Sequence, residues 1–386
     1  MKKALIVVNL AGFLNFLWND IKILQSMGYE VCVAMNGKLM DGSEAVEISI
    51  LNDKKIKYFQ IDFDTKSPLA LENIKAYRQM CDVLKNNYDL IHCHTPIPGV
   101  VTRIAANKYR MKGTKVIYTT HGFTFTDRTS RKSWLIYYNV EKFMSYFCDA
   151  IITINHEDFK NAKKMHCKNV FIIPSVGLDN KRFENLQINR DEYRKSIGVD
   201  KDEIMVLTVG ELSVRKNQQI IIKAIGKLKD KEKYVLVICG HAVVESTLAD
   251  DLQELARKLG VNVRMLGHRL DIPQINACAD IAVIASLREG FGMAGIEAMA
   301  SGVPVIGSDV QGIREYIKPG KTGLFCDPTD ENTLTTAINK LSHISEKEKC
   351  IMKNECKKMA MMFDVHKSKE RMMDIYKYIL EGGIKR

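Results

Sequence analysis

Short apolar runs alternate with longer amphipathic stretches along most of the chain, and this alternation predicts the fold. In the first half, continuous apolar runs at 4–8, 31–35, 56–61, 89–93, 115–120, 150–154 and 170–173 read as strands. Helix-length stretches lie between them, such as Phe16 to Met27, closed by Gly28. Strands apolar on both faces, separated by helices, predict a parallel sheet covered on both sides. A polar stretch from Pro174 to about Asp202 interrupts the pattern. It then restarts, with strands at 204–209, 234–239, 261–266, 281–285 and 303–307. From 330 onward only helices are expected, at 331–342, 346–362 and 366–381. Two doubly wound units joined by one linker are expected to face a cleft at the carboxyl ends of their strands, where such sheets bind ligands.

The length agrees with two units, because 386 residues exceed what one hydrophobic core ordinarily organises. Apolar residues make up 46% and charged residues 27%, which excludes wholesale disorder. Lys2-Lys3 and the apolar run to Trp18 imitate a signal peptide, but Asn9 and Asn15 interrupt the run. A buried first strand is the expected reading. No 18-residue apolar stretch predicts a membrane span. The ten cysteines are scattered without a C-x-x-C pair, and most sit in apolar runs such as Val31-Cys32-Val33. They are expected to be buried free thiols in a reducing cytoplasm.

Charge changes the picture further. The net charge is +11, with +8 on residues 1–178 and +3 on the rest. The segment 103–142 alone carries nine cations against Asp127 and Glu141. It includes Arg128, Arg131 and Lys132, next to Trp134, Tyr137 and Tyr138. Cations beside aromatic residues suit an anionic membrane interface. Nucleic acid is not the expected partner, because no helix-turn-helix, RNP or zinc pattern accompanies the charge.

The densest chemistry is Ser286-Leu-Arg-Glu289-Gly-Phe-Gly-Met-Ala-Gly-Ile-Glu297, followed by Ala-Met-Ala-Ser-Gly302-Val-Pro304-Val-Ile. A strand ends near Ser286, a glycine-rich turn follows, and a helix starts near Gly292. Free N–H groups at a helix start bind phosphate, and glycines let it approach the backbone. Two carboxylates beside a phosphate site repel phosphate and instead suit hydroxyls, as on ribose and a sugar. Residues 290–295 also satisfy G-x-G-x-x-G, with Asp309 nineteen residues after Gly290. That nicotinamide-cofactor motif normally opens the first βαβ of its domain, and here it comes late in the second unit.

Glu289 and Glu297 form the E-x7-E pattern of the retaining glycosyltransferases of family 4, and the chain resembles that family through nearly its whole length. The supporting segments, in order, are Thr119-Thr-His121-Gly-Phe, Ile173-Pro-Ser-Val-Gly177-Leu-Asp179, Val209-Gly-Glu-Leu-Ser-Val-Arg215-Lys216-Asn217-Gln218, Leu266-Gly-His-Arg269 and Gly320-Lys-Thr-Gly323-Leu-Phe. It looks most similar to bacterial members that extend polyprenyl-diphosphate-linked glycans in capsule or exopolysaccharide assembly.

The resemblance implies an α/β protein of GT-B fold, with two Rossmann-like doubly wound parallel-sheet domains facing a cleft. The implied domains are an acceptor-binding domain at 1–178, a donor-binding domain at 179–362, and a helix at 363–386 packing back on the first. It implies transfer from a nucleotide-diphosphate sugar, with UDP-N-acetylhexosamine or UDP-hexose expected. No cofactor or added metal is implied, and the enzyme would sit peripherally on the inner face of the plasma membrane.

The resemblance also implies roles. Glu297 binds ribose hydroxyls, Glu289 contacts the donor sugar, and the backbone of Gly290, Phe291, Gly292, Met293 and Ala294 holds the diphosphate. Lys216 neutralises the leaving diphosphate. Arg269 lines the base pocket, Gly12 lets its loop approach the donor, and His121 positions the sugar. Asn9, Asn15 and His94 are candidate acceptor contacts, with Arg128, Arg131 and Lys132 on the acceptor's membrane side. The sequence departs from the family at Glu211, where many members carry arginine; Arg215 is the candidate replacement. His92 and His94 share one strand face like metal ligands, but the sequence offers no third. Asp62-Phe63-Asp64 imitates a D-x-D metal motif, yet ends an edge-like strand. Two rival readings stay open at this point: a UDP-sugar 2-epimerase of the same fold, and a basic membrane- or nucleic-acid-binding protein with a vestigial nucleotide pocket.

Overall fold

The computed structural model describes residues 1–39, 42–64, 71–242 and 247–382. The last four residues of the expected terminal helical segment, 383–386, lie outside these. The chain divides into two compact units: Met1–Val176 with the segment from His366, and Gly177–Val365.

The first unit is built on seven parallel strands: β1 (Lys2–Leu10), β2 (Tyr29–Asn36), β3 (Lys57–Gln60), β4 (Leu90–His94), β5 (Lys115–Thr119), β6 (Ala150–Thr153) and β7 (Val170–Ile172). Their order in the sheet is β3-β2-β1-β4-β5-β6-β7. Ala4 to Val8 are fully buried, which is why the first apolar run forms a central strand covered on both faces. Among the described residues six helices connect the strands: α1 (Trp18–Ser26), α2 (Val46–Asp53), α3 (Glu72–Val83), α4 (Pro96–Arg110), α5 (Arg131–Met144) and α6 (His156–Ala162). The run expected as one helix from Phe16 splits. Ala11–Phe16 is a 3-10 turn, and α1 begins only at Trp18. Gly12 and Asn15 are weak helix formers, and the tighter turn accommodates them.

The second unit carries six parallel strands: β8 (Ile204–Val209), β9 (Tyr234–Cys239), β10 (Asn262–Gly267), β11 (Ile281–Ile284), β12 (Val305–Ser308) and β13 (Gly323–Cys326), in the order β10-β9-β8-β11-β12-β13. The last of these is one more strand than the apolar pattern predicted. It is four residues long and opens on Gly323, where a Cβ would stand 1.8 Å from the Val305 carbonyl. The helices are α7 (Arg190–Ser196), α8 (Gln218–Gly226), α9 (Leu248–Leu259), α10 (Ile272–Cys278), α11 (Met293–Ala300), α12 (Glu331–Ser342) and α13 (Glu346–Met361). A capping box of Ser345 and Glu348 starts α13. The final helix, α14 (Val365–Leu380), runs from the end of the second unit into the first.

Each sheet reverses its strand order once, between β1 and β4 in the first unit and between β8 and β11 in the second. The loops after those strands diverge and leave a crevice at the carboxyl edge. Asn9 lies near the carboxyl end of β1, Gly12 and Asn15 lie in the turn after it, and His94 ends β4. Glu211 to Asn217 and Ser286 to Gly292 lie after β8 and β11.

Candidate active site

In the second unit, the two loops flanking the crevice are bonded to each other. Leu287 N–H donates to the Arg215 carbonyl at 2.8 Å. Asn217 takes a left-handed conformation (φ 59°), and its amide donates to the carbonyls of Ala285 and Pro328. This brace brings cations from one loop to the carboxylate of the other. Lys216 Nζ lies 2.6 Å and Arg215 Nη1 3.3 Å from Glu289 Oε2, and Ser286 Oγ donates to the same oxygen at 3.2 Å. Burial pushes the Glu289 carboxyl up, but the charges of Lys216 and Arg215 outweigh it and hold the group below its usual range.

Gly292 begins α11 with φ 82° and no side-chain cap. A Cβ there would meet Tyr316 Oη at 2.8 Å and Glu289 Cγ at 3.1 Å, so only glycine fits the turn. No side chain caps the amino end of this helix, the kind of end at which backbone N–H groups can meet an anion. Glu297 differs from Glu289. Among the described residues its carboxylate has no hydrogen-bond partner, and burial raises its pKa against a weaker opposing effect of Arg182. A half-buried carboxylate without a protein donor is suited to accept from ligand hydroxyls.

Arg215, the candidate replacement for the missing family arginine, is committed elsewhere. Its guanidinium bonds Glu211 Oε1 at 2.7 Å as well as Glu289 and the Arg288 carbonyl. Glu211 therefore occupies the very cation proposed to compensate for it. Arg269, at the end of edge strand β10, forms a two-point ion pair with Asp271 at 2.8 and 2.5 Å. The structure clusters Arg215, Lys216, Glu289, Gly290 to Ala294 and Glu297, and places Arg269 in a separate loop.

In the first unit, His121 follows β5 and its Nε2 lies 3.1 Å from His94 Nδ1. Phe13, next to Gly12, packs edge-on against His121 with ring centroids 4.7 Å apart. A Cβ on Gly12 would meet nothing within 4 Å, so the packing of the chain itself makes no demand for glycine there. Burial lowers the His121 pKa to about 3, which makes the ring a neutral, weak base. Asn15 is held by Glu47, its amide donating at 3.0 Å. Asn9 Oδ1 is buried without a partner among the described residues.

His92 and His94 do share one strand end, with rings 4.0 Å apart, and the structure supplies a third group that the sequence did not reveal: Asp20. One ligand-type atom from each of the three lies within 4.8 Å of the others. Both His92 nitrogens are already engaged, Nδ1 with Tyr376 Oη and Nε2 with Thr119 Oγ1, each at 2.7 Å. The cluster is built as a hydrogen-bond chain. Asp62, of the apparent D-x-D pair, is spent on Lys75, Gln60 and Gln79, which hold its pKa at about 2.

The basic segment needs a correction. Trp134 and Tyr138 stack on each other (4.5 Å, 16°) and both meet Phe125, so they pack inward. The exposed apolar residues of α5 are instead Leu135, Ile136, Tyr137, Val140 and Phe143, and Leu135 and Phe143 are 58% and 60% exposed. Arg103 is fully buried, 2.8 Å from Glu141. Arg128, Arg131 and Lys132 are exposed around the amino end of α5.

The fold and the braced carboxylate at the second switch point define a glycosyltransferase of GT-B architecture. Known proteins agree. The family model of group 1 glycosyl transferases matches residues 189–358, and that of 4-like glycosyl transferases matches residues 3–155. A putative glycosyltransferase of Bacillus subtilis (strain 168), EpsD, is 35% identical over 372 residues, covering 94% of this chain and 93% of that one. The Escherichia coli UDP-Gal:alpha-D-GlcNAc-diphosphoundecaprenol alpha-1,3-galactosyltransferase is 27% identical, covering 84% of each chain. Among solved structures, Anabaena HepE in complex with UDP and glucose superposes with a TM-score of 0.78 at 20% identity, covering 98% of this chain and 100% of that one. The chain belongs to this family of group 1, family 4-like glycosyltransferases.

Residues that the sequence left unmarked are Asp20, Arg182, Tyr316 and Tyr376. None lies in a motif, and only their packing partners reveal them.

Proposed function

We propose that the chain transfers a sugar, with retention of configuration, from a UDP-sugar to a polyprenyl-diphosphate-linked glycan in bacterial exopolysaccharide or capsule assembly. The observation that carries this reading is the unequal pair of carboxylates, Glu289 in the loop before α11 and Glu297 within the helix. Glu289 is braced by Lys216 and Arg215, whereas Glu297 has no hydrogen-bond partner among the described residues and accepts the ribose hydroxyls. The diphosphate lies on the open amino end of α11, beside the Lys216 ammonium.

During transfer the bond from the anomeric carbon to the phosphate oxygen breaks, and the acceptor oxygen bonds to the same face. The acceptor proton leaves on the departing phosphate, since His121 is too weak a base to take it. Lys216 offsets charge that grows on the leaving group, so the effect falls on the transition state. Lys216 and the helix amino end supply that positive charge without a divalent metal.

The acceptor lipid stays in the bilayer, and α5 is the proposed docking face on the inner leaflet. Arg131 and Lys132 stand on the first helical turn, where the helix dipole disfavours cations. An anionic surface outside the molecule accounts for them.

The test is UDP release by the purified chain across UDP-sugars, with a polyprenyl-diphosphate-linked glycan as acceptor and excess EDTA. Acceptor-dependent release with an axial product linkage from an axial donor supports the proposal. Inverted product, release of a 2-epimerised sugar, or strict dependence on added metal overturns it.

A further inference from the structure

Behind His121 lies a chain of four buried groups drawn from four elements. Tyr376, on α14, bonds His92 Nδ1 on β4 at 2.7 Å, and its hydroxyl is the group that opposes the effect of burial on the Asp20 carboxyl of α1. His92 Nε2 meets Thr119 Oγ1 on β5. Thr119 lies two residues before His121 and lines, with Asp20, His94, His121, Ser368 and Lys369, a cavity of about 20 Å³, room for one water molecule. His94 Nε2 and Ser368 Oγ, both buried, have no protein partner among the described residues.

Donor and acceptor rules leave this chain two states. With Asp20 ionised, its carboxylate only accepts, so the Tyr376 hydroxyl donates to it. The tyrosine oxygen then accepts from His92 Nδ1–H, and the bare Nε2 accepts from the Thr119 hydroxyl. With Asp20 protonated, every bond reverses. A proton entering from the cavity replaces the one Thr119 passes to Nε2, while Nδ1–H passes to Tyr376 and the tyrosine proton to Asp20. Asp20 then donates to Tyr376, Tyr376 to Nδ1, and Nε2–H to Thr119, whose new O–H points to the cavity and His121. His92 stays neutral in both states, since burial lowers its pKa to about 3.

We propose that Asp20 and Tyr376 are positioning residues that set the direction of a hydrogen-bond relay, Asp20–Tyr376–His92–Thr119, ending beside His121. Burial raises the Asp20 carboxyl to about 7, where the relay can turn over near neutral pH. The titratable and charged groups facing it are Tyr376 and Lys369 from α14, His92 and His94 from β4, and His121 from the loop after β5. The effect on turnover rests on the proposed role of His121; the relay itself does not.

The experiment is a pH titration of the full chain labelled with 15N-histidine, reading each ring tautomer from two-bond 15N–1H spectra, with His92 assigned by His92→Gln. Wild-type His92 is expected to pass from the Nδ1–H to the Nε2–H tautomer as pH falls through about 7, without forming imidazolium. Asp20→Asn and Tyr376→Phe should both abolish the transition. In Tyr376→Phe, kcat should fall about tenfold, of the order one hydrogen bond commands, with donor KM within about twofold. The kcat profile should lose its inflection near neutrality. A single His92 tautomer across the range in wild type, or a transition that persists in Asp20→Asn, overturns the relay. An inactive wild-type chain with an intact tautomer transition would count against the proposed function and leave the relay standing.

Discussion

The Lys216 ammonium and the Glu289 carboxylate meet at 2.6 Å, although 73 residues separate them in sequence. The contact joins the two loops that flank the second unit's switch point, and it fixes a cation beside the open end of α11. Removing the ammonium should act mainly on the transition state. Lys216→Ala is expected to lower kcat by about 100- to 1,000-fold, the usual effect of deleting one electrostatic stabiliser, with a much smaller change in donor KM. Steady-state kinetics with a UDP-sugar checks this. Equal losses in both parameters would reduce Lys216 to ground-state binding.

Glu297 makes the complementary case. Its carboxylate has no hydrogen-bond donor among the described residues, so replacing it removes none of the braces seen there. Glu297→Ala should therefore leave thermal stability near that of wild type while weakening UDP binding. A charge-assisted hydrogen bond is worth about 1.5–3 kcal/mol, which corresponds to about 10- to 150-fold in Kd. Isothermal calorimetry with UDP measures it, and unchanged affinity would remove Glu297 from the nucleotide site.

Where the fold was legible, the reason is burial on both faces. Ala4–Val8, Tyr234–Cys239 and Ile281–Ile284 are continuous apolar runs because parallel strands between helices have no solvent side. The strand β13 escaped notice because four residues opening on glycine carry too little pattern. The glycine-rich turn before α11 was legible because glycines and two carboxylates sit within twelve residues. The relay was not, because Asp20, His92, Thr119 and Tyr376 come from four distant segments. Periodicity records which face of a helix is inside; it does not record what a buried aspartate touches. The same gap misplaced Trp134 and Tyr138. Composition marked them as interfacial aromatics, and only their edge-on contacts with buried Phe125 show that they pack against the core.

The buried histidines make stability sensitive to acid. Burial lowers His92 and His121 from 6.5 to about 3, and moves His94 well below 6.5. Between those values the unfolded chain binds protons that the folded chain cannot, so this contribution is full above about 6.5 and is lost as pH falls toward 3. Asp20 works oppositely. Its carboxyl rises from 3.8 to about 7, so its contribution is full below 3.8 and declines as pH rises to about 7. Three groups against one leave a net loss on acidification below 6.5. The urea midpoint should fall between pH 7 and pH 4.5, and fall less steeply in His92→Gln. A midpoint that rises over this range would contradict the assignment.

The face of α5 yields the remaining prediction. Leu135, Ile136, Val140 and Phe143 recur at helical spacing, are all exposed, and have cations at the amino end. Exposed apolar stripes of this kind mark an interaction surface. The cations favour an anionic one, at about 1 kcal/mol for each Lys or Arg near the membrane, within a Debye length. The two contributions separate experimentally. Replacing Arg128, Arg131 and Lys132 by glutamate should weaken binding to anionic vesicles most strongly at low salt. Leu135→Ser with Phe143→Ser should weaken it at all salt concentrations, because apolar burial is not screened. Both variants should keep wild-type UDP affinity, since the nucleotide residues lie in the other unit, and both should lose activity on the lipid-linked acceptor. Normal vesicle binding by both variants would show that α5 faces something other than a membrane. Lost vesicle binding with full activity on a water-soluble acceptor analogue would confine the role of the helix to docking.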